Sequence, residues 1–196
     1  MKERYRECIQ NKKVTLKRVD SNIIPVEYLS FLNDPEVTKF LQARFKAHDE
    51  STIKQFVESF DHQDNFLFGI WSQVSAEFIG TITLRVDPNH RFSSLGYMIG
   101  NRSYWDGETA IAACTAVLDF AFFERRVRKI IECTTENHIA SNFNFRRLGF
   151  TMAAKIPDLY WGNGKYHAGV YWTLDSDTWA RRRNSPTPEI PNPKVV

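Results

Sequence analysis

The sequence predicts an α/β fold: a mixed, mostly antiparallel sheet of about seven strands with helices around it. Three observations predict it. Helical spacing of apolar residues before residue 60 gives way to β-rich runs through residue 100 and returns at Ile111, Cys114, Leu118, Ala121 and Phe122. The three β-rich runs are joined by short connections, which implies an antiparallel meander. A strand, a helix and two further strands then follow, giving the order β-α-α-α-β-β-β-α-β-α-β-β.

Each element has a local reason. "KKVTLKRVD" alternates Val14, Leu16 and Val19 with polar residues and reads as a first strand, after an N-terminal arm over residues 1–12. "PVEYLSFLNDPEVTKFLQ" reads as two short helices broken at Asn33, where Asp34 caps and Pro35 fits a first helical turn. Asp49 or Ser51 opens a third helix, "STIKQFVESF", with Ile53, Phe56, Val57 and Phe60 on one side. "NFLFGIW", "FIGTITLRV" and "SSLGYMIG" form the meander. Beyond the next helix come the strand "RKIIECTT", the helix "ASNFNFRRL" and the strands "GFTMAAKI" and "GVYWTL". Residues 184–196 hold four of the eight prolines and little to bury, so a flexible tail is expected there.

Composition bounds the function. At 196 residues and 42% hydrophobic, the chain suits one compact domain, expected over residues 13–183, without metal or disulfide support. The net charge of +3 is too weak a signal for nucleic-acid binding. Cys8, Cys114 and Cys133 form no Cys-x-x-Cys spacing and read as reduced thiols. No apolar run approaches the roughly 20 residues of a membrane helix, and the charged N-terminus lacks a following apolar region. These features predict a cytoplasmic protein that engages neither membrane nor nucleic acid.

The passage "IGNRSYWDGETAIAACTAV" runs from an apolar strand end through a polar turn into a helix. A helix N-terminus presents N–H groups and a partial positive charge, suited to a phosphate. Any such turn has that property, and its surroundings make this one specific. "LNDPEVTKFL", "FIGTITL", "LGYMIGNRSYW" and "ENHIASNFNFRRLGF" occur in an order that resembles the GNAT superfamily of acyl-CoA-dependent N-acyltransferases, in the branch similar to the N-acetyltransferases of ribosomal-protein N-termini. The likeness covers roughly residues 13–175. Its most specific piece is the last, with Asn137, Ser141 and Leu148-Gly149-Phe150 at the family's spacing.

The resemblance implies helices on both faces of the sheet and a splayed cofactor cleft. It implies an acetyl-CoA co-substrate and no metal. The pyrophosphate would sit on Trp105, Asp106, Gly107, Glu108, Thr109 and Ala110, and the pantetheine between the strand ending at Met98, Ile99 and Gly100 and the strand at 128–134. Asn137, Asn144 and Arg147 are the further cofactor contacts, and Arg102 is a second cation for the phosphates. The family's phosphate loop has the form Arg/Gln-x-x-Gly-x-Gly/Ala, and this chain departs from it. Aligning the last position with Ala110 puts Glu108 where the middle Gly belongs, and sliding by one puts Tyr104 and Thr109 at the ends. Glu108 therefore either weakens CoA binding or turns outward while backbone N–H groups hold the phosphates.

The chemistry follows from the same likeness. An amine of lysine type has a pKa near ~10.4 and must lose a proton before it attacks. Glu132, five residues before Asn137, is the candidate base, directly or through water, with Asp87, Glu136 and His90 in reserve. A main-chain N–H of Met98 or Ile99 would stabilise charge on the thioester oxygen. Many members protonate the leaving thiolate with a Tyr where this chain has Phe145, which leaves Ser141, one turn earlier, or no dedicated acid. Asn137 holds the pantetheine amide, caps the following helix, or both.

For the acceptor the family implies a cleft walled by the first helices and the segment before the last strand, which nominates Asn33, Phe40, Phe45, Tyr160, Trp161, Tyr166 and His167. The His-Asp pair common in this branch is His167-Ala168 here, so an acidic anchor for a cationic acceptor is missing at that point. The leading acceptor is a small-molecule amine such as a nucleotide-linked amino sugar, on which the aromatic residues of "DLYWGNGKYH" would stack. A protein or peptide α-amine is the alternative, and a non-catalytic relative that keeps only the fold is the rival of another class. A homodimer is expected by analogy with the fold.

Overall fold

The computed structural model describes residues 8–186. It has a single α/β fold with strands β1 (Cys8–Gln10), β2 (Val14–Arg18), β3 (Asn65–Ser72), β4 (Phe78–Val86), β5 (Phe92–Ile99), β6 (Lys129–Thr135), β7 (Thr151–Gly162) and β8 (Lys165–Asp175). The helices are α1 (Val26–Asn33), α2 (Pro35–Thr38), α3 (Glu50–Glu58), α4 (Glu108–Asp119), α5 (Ile139–Leu148) and α6 (Ser176–Arg183). The eight strands form one mixed sheet in the order β1-β2-β3-β4-β5-β6-β8-β7. Parts of the expected arm (residues 1–7) and of the expected tail (residues 187–196) lie outside the described residues. Among the described residues no helix is long and apolar enough to cross a membrane.

Two compact units are distinguished within the fold. The first comprises described residues 8–83 and 97–117. Here β1 pairs antiparallel with β2, and β2 with β3. The Asn33 break is real: Asp34 caps α2 by accepting the Glu36 N–H at 2.9 Å, and Pro35 takes the first turn. Asp49 caps α3 in a capping box with Thr52. The core packs Val19, Tyr28, Ile53, Val57, Phe60, Leu67 and Phe78, with Tyr28 edge-on to Phe78 and Phe31 stacked on it, both at 5.9 Å. Gly100 permits the last contact region, since a Cβ there would come within 2.1 Å of the Phe31 ring.

The second unit comprises residues 84–96 and, among those described, 118–186. β6 pairs antiparallel with β8 along its whole length, and β8 with β7. α5 lies against the Trp172 face: Phe145 stacks on Trp172 at 6.3 Å and Asn142 accepts its Nε1–H at 3.0 Å. Gly149, in the left-handed region at φ 93°, ends the helix.

Three features depart from the expectations. β1 adds an eighth strand where the sequence showed only an arm. The passage "DLYWGNGKYH" is the tip of a long β7–β8 hairpin, where Asn163 (φ 51°) and Gly164 (φ 77°) make the two-residue turn that suits the strand twist. α6 follows β8 directly, capped by Asp175, whose carboxylate accepts the Thr178 N–H at 2.8 Å.

Candidate active site

The cofactor residues nominated from the first unit lie at the end of β5 and on the turn into α4. Gly100 and Asn101 both donate to the Ile79 carbonyl, at 2.8 and 3.2 Å, which anchors the chain as it leaves the sheet. Trp105 returns its Nε1–H to the Ile99 carbonyl at 2.8 Å, with half of its surface exposed. Arg102 is held by Asp34, with one nitrogen 2.6 Å from each carboxylate oxygen. That pairing directs the expected second cation toward the cap of α2.

The N-terminus of α4 is already engaged by an anion of the chain itself. Asp106 Oδ1 accepts the Glu108 N–H at 2.9 Å and the Thr109 N–H at 2.8 Å, and Thr109 Oγ1 donates to Oδ2 at 3.2 Å. Burial pushes the Asp106 carboxyl up, but these bonds and the Lys13 ammonium at 3.7 Å outweigh it and hold the carboxyl below the usual range. Two N–H groups assigned to phosphate are therefore shared with a carboxylate. A phosphate on this turn must displace Asp106 or use its neighbours.

The first-unit acceptor residues have specific local partners. Asn33 donates to the Leu29 and His48 carbonyls and accepts the His48 N–H, which ties α1 to the segment before α3. Phe45 is 57% exposed, with the Arg44 guanidinium 4.6 Å from its ring centroid.

In the second unit, Glu132 stands on β6 where its ladder to β5 has ended. The parallel pairing covers only Phe92 with Lys129 and Ser93 with Ile130. The Glu132 carboxylate accepts the Leu95 N–H. Burial pushes it up to about 8, against the opposing effect of the Leu95 and Cys133 N–H groups. A carboxyl in that range exchanges protons near neutral pH.

Asn137 is placed by Thr135, whose hydroxyl donates to Oδ1 at 2.6 Å, and its Nδ2 lies 3.3 Å from His167 Nε2, which is itself 3.0 Å from the Gly162 carbonyl. The cap position of α5 is His138, so Asn137 is not the helix cap. Ser141 and Asn144 are buried on α5. Phe145 is 3% exposed, edge-on to Phe150 at 5.0 Å.

Strand alternation splits two residues nominated together. His167 shares a face with its partner Tyr160, whereas Tyr166 points the other way and meets Trp161 edge-on at 5.0 Å. On the His167 face Tyr160 and Tyr171 neighbour the Cys133 thiol. This cluster went unread because its members lie on three strands whose register the sequence does not declare. Asn142 was also missed: besides Trp172 it serves the Thr135 and His138 carbonyls, each at 2.9 Å. The reserve bases are committed elsewhere. Asp87 accepts the Asn89 and His90 N–H groups of a turn, and Glu136 pairs with Lys155 at 2.8 Å. Among the described residues no group of three or more His, Cys, Asp or Glu is arranged to hold a metal ion.

Residues 14–151 match the acetyltransferase (GNAT) domain family. The chain belongs to this family. A provisionally named ribosomal N-acetyltransferase of Bacillus subtilis (strain 168), YdaF, is 29% identical over 102 residues, which cover 51% of this chain and about half (55%) of that protein. Among solved structures, RimL, a ribosomal L7/L12 alpha-N-protein acetyltransferase in complex with coenzyme A, superposes with a TM-score of 0.77 at 16% identity, covering 88% of this chain and 99% of that one. A Vibrio cholerae spermidine N-acetyltransferase with CoA and spermine gives 0.73 at 14% identity, covering 86% and 99%. Both likenesses show the GNAT fold. The B. subtilis relative agrees with the branch that the motifs resemble.

Proposed function

We propose that this GNAT chain is an acetyl-CoA-dependent N-acetyltransferase that acetylates the primary amine of a small molecule, with a nucleotide-linked amino sugar as the leading acceptor. The observation that carries the acetyl-CoA reading is the β5–β6 ladder, which stops after two residue pairs although both strands continue, in a chain of this family. Acetyl-CoA would supply the activated thioester. In this reading the cofactor residues are the α4 turn from Trp105 to Ala110, the main-chain N–H of Met98 or Ile99, Asn137, Asn144 and Arg147, and Glu132 is the proton acceptor. Ser141 is the proposed hydroxyl at the leaving thiolate. The domain is assigned to residues 13–183, in a cytoplasmic setting and as a homodimer, by family analogy.

The amino-sugar acceptor is supported by the exposed ring surface of Trp161 and Tyr166, 48% and 57% exposed, since aromatic faces receive sugar C–H groups and bases. A protein or peptide α-amine is the second reading, favoured by the name of the B. subtilis relative. Thiol release from acetyl-CoA tests these against one another with a nucleoside-diphosphate amino sugar, spermidine and a peptide with a free N-terminus. Turnover with the amino sugar alone supports the first reading, and turnover with the peptide alone supports the second. Acetyl-CoA binding without turnover on any amine indicates a relative that keeps the fold and has lost the reaction.

A further inference from the structure

Parallel strands satisfy one another's backbone groups only while their ladder runs. β5 and β6 pair at Phe92 with Lys129 and at Ser93 with Ile130, and no further. β6 nevertheless continues to Thr135, fully paired with β8 on its other side, and β5 continues to Ile99. Leu95, two residues beyond the last pair, is 1% exposed, so water does not serve its N–H. The acceptor is the side chain of Glu132. One side chain thus bridges the two strands where their backbones cease to do so.

The bridge depends on reach and on an oxygen. Glu132 pairs with Trp172 of β8 through its backbone, and only its side chain extends toward β5. Glutamine has the same length and an amide oxygen that accepts an N–H. Alanine offers no acceptor, and the Leu95 N–H is then left buried and unpaired or must find β6 backbone by closing the ladder.

We propose that Glu132 is a positioning residue in addition to its assigned role as base: its side-chain oxygen ends the β5–β6 ladder at Leu95 and fixes where the strands part, so acetyl-CoA affinity depends on an acceptor atom at 132 rather than on its charge. The inference rests on the acetyl-CoA reading above. Its two roles separate by substitution, because Gln keeps the acceptor and loses the base.

The test is calorimetric titration with acetyl-CoA and residue-resolved amide exchange on wild type, Glu132→Gln and Glu132→Ala. Glu132→Gln is expected to bind within about twofold of wild type and keep the Leu95 amide slow. Glu132→Ala is expected to lose about tenfold in affinity, as for one buried N–H left without its acceptor, and to exchange Leu95 about tenfold faster. Slow Val170 and Trp172 amides in every variant identify folded protein. Unchanged affinity in Glu132→Ala overturns the proposal, as does a loss in Glu132→Gln equal to that in Glu132→Ala. If wild type itself fails to bind acetyl-CoA, the functional reading falls. The Leu95 exchange then still decides the ladder claim, which an Ala variant with a slow Leu95 amide overturns.

Discussion

Replacing Asp106 with alanine is predicted to act on the fold and on the turn proposed to hold the cofactor in opposite directions. The carboxylate accepts two first-turn N–H groups at 2.8 and 2.9 Å and a threonine hydroxyl at 3.2 Å. Loss of such a cap costs about 1 kcal/mol, which lowers Tm by about 2–4 °C for a chain of this size. The folded carboxyl is held below its ordinary pKa, so this stability is present above about pH 4 and is lost as pH falls through the depressed value. Wild type and variant should therefore converge in acid. If the CoA pyrophosphate takes the Glu108 and Thr109 N–H groups, wild type gives up the cap when it binds and the variant does not. Sparing about 1 kcal/mol tightens acetyl-CoA binding about fivefold. Thermal melts at pH 7 and pH 3.5, paired with calorimetric titration of acetyl-CoA, check both halves. A lowered Tm with unchanged or weaker binding refutes the reasoning, because the phosphates would then use other donors and leave the cap in place.

Three further outcomes follow from the second unit. Glu132 is raised to about 8, so its contribution to stability is full below the unfolded value near pH 4.5 and is lost as pH rises through 8; Glu132→Gln should gain Tm relative to wild type across that window, and a constant difference argues against the shift. Phe145→Tyr places a hydroxyl in a site 3% exposed, costs about 1–3 kcal/mol if it is unpaired, and leaves kcat unchanged; a rise in kcat contradicts the packing of this ring with Phe150 and Trp172. Asn142→Ala removes the acceptor of Trp172 Nε1–H on a residue 2% exposed and should cost about 1–3 kcal/mol by denaturant titration, whereas a neutral effect shows that another acceptor replaces it.

What was legible in the sequence follows the strength of the local signals. β4 carries a long apolar run between turn residues, and its bounds, Phe78–Val86, match the quoted stretch. Asp34 before Pro35 declared the break between the first helices. β7 was cut short because its residues are exposed as far as Leu159 and it carries Pro157 and Asp158, so it lacks the alternation of a half-buried strand. The Asp106 cap belongs to a recurring Asp-x-x-Thr pattern. Asp49 and Thr52, Asp106 and Thr109, and Asp175 and Thr178 share one spacing, and each Asp accepts its Thr N–H at 2.8 Å. The family motif at 105–110 drew attention to Glu108, while the competing anion sits two residues earlier. The family resemblance nominates Glu132 as a base at its spacing to Asn137, but its bond to Leu95 depends on where a parallel ladder stops, which no local pattern encodes.

Direct titration of the full chain with acetyl-CoA, followed by thiol release with a panel of amines, tests the central claim. The proposed function predicts saturable binding and amine-dependent release of CoA that disappears in Glu132→Gln. Absence of both binding heat and a Tm shift at saturating acetyl-CoA would contradict it.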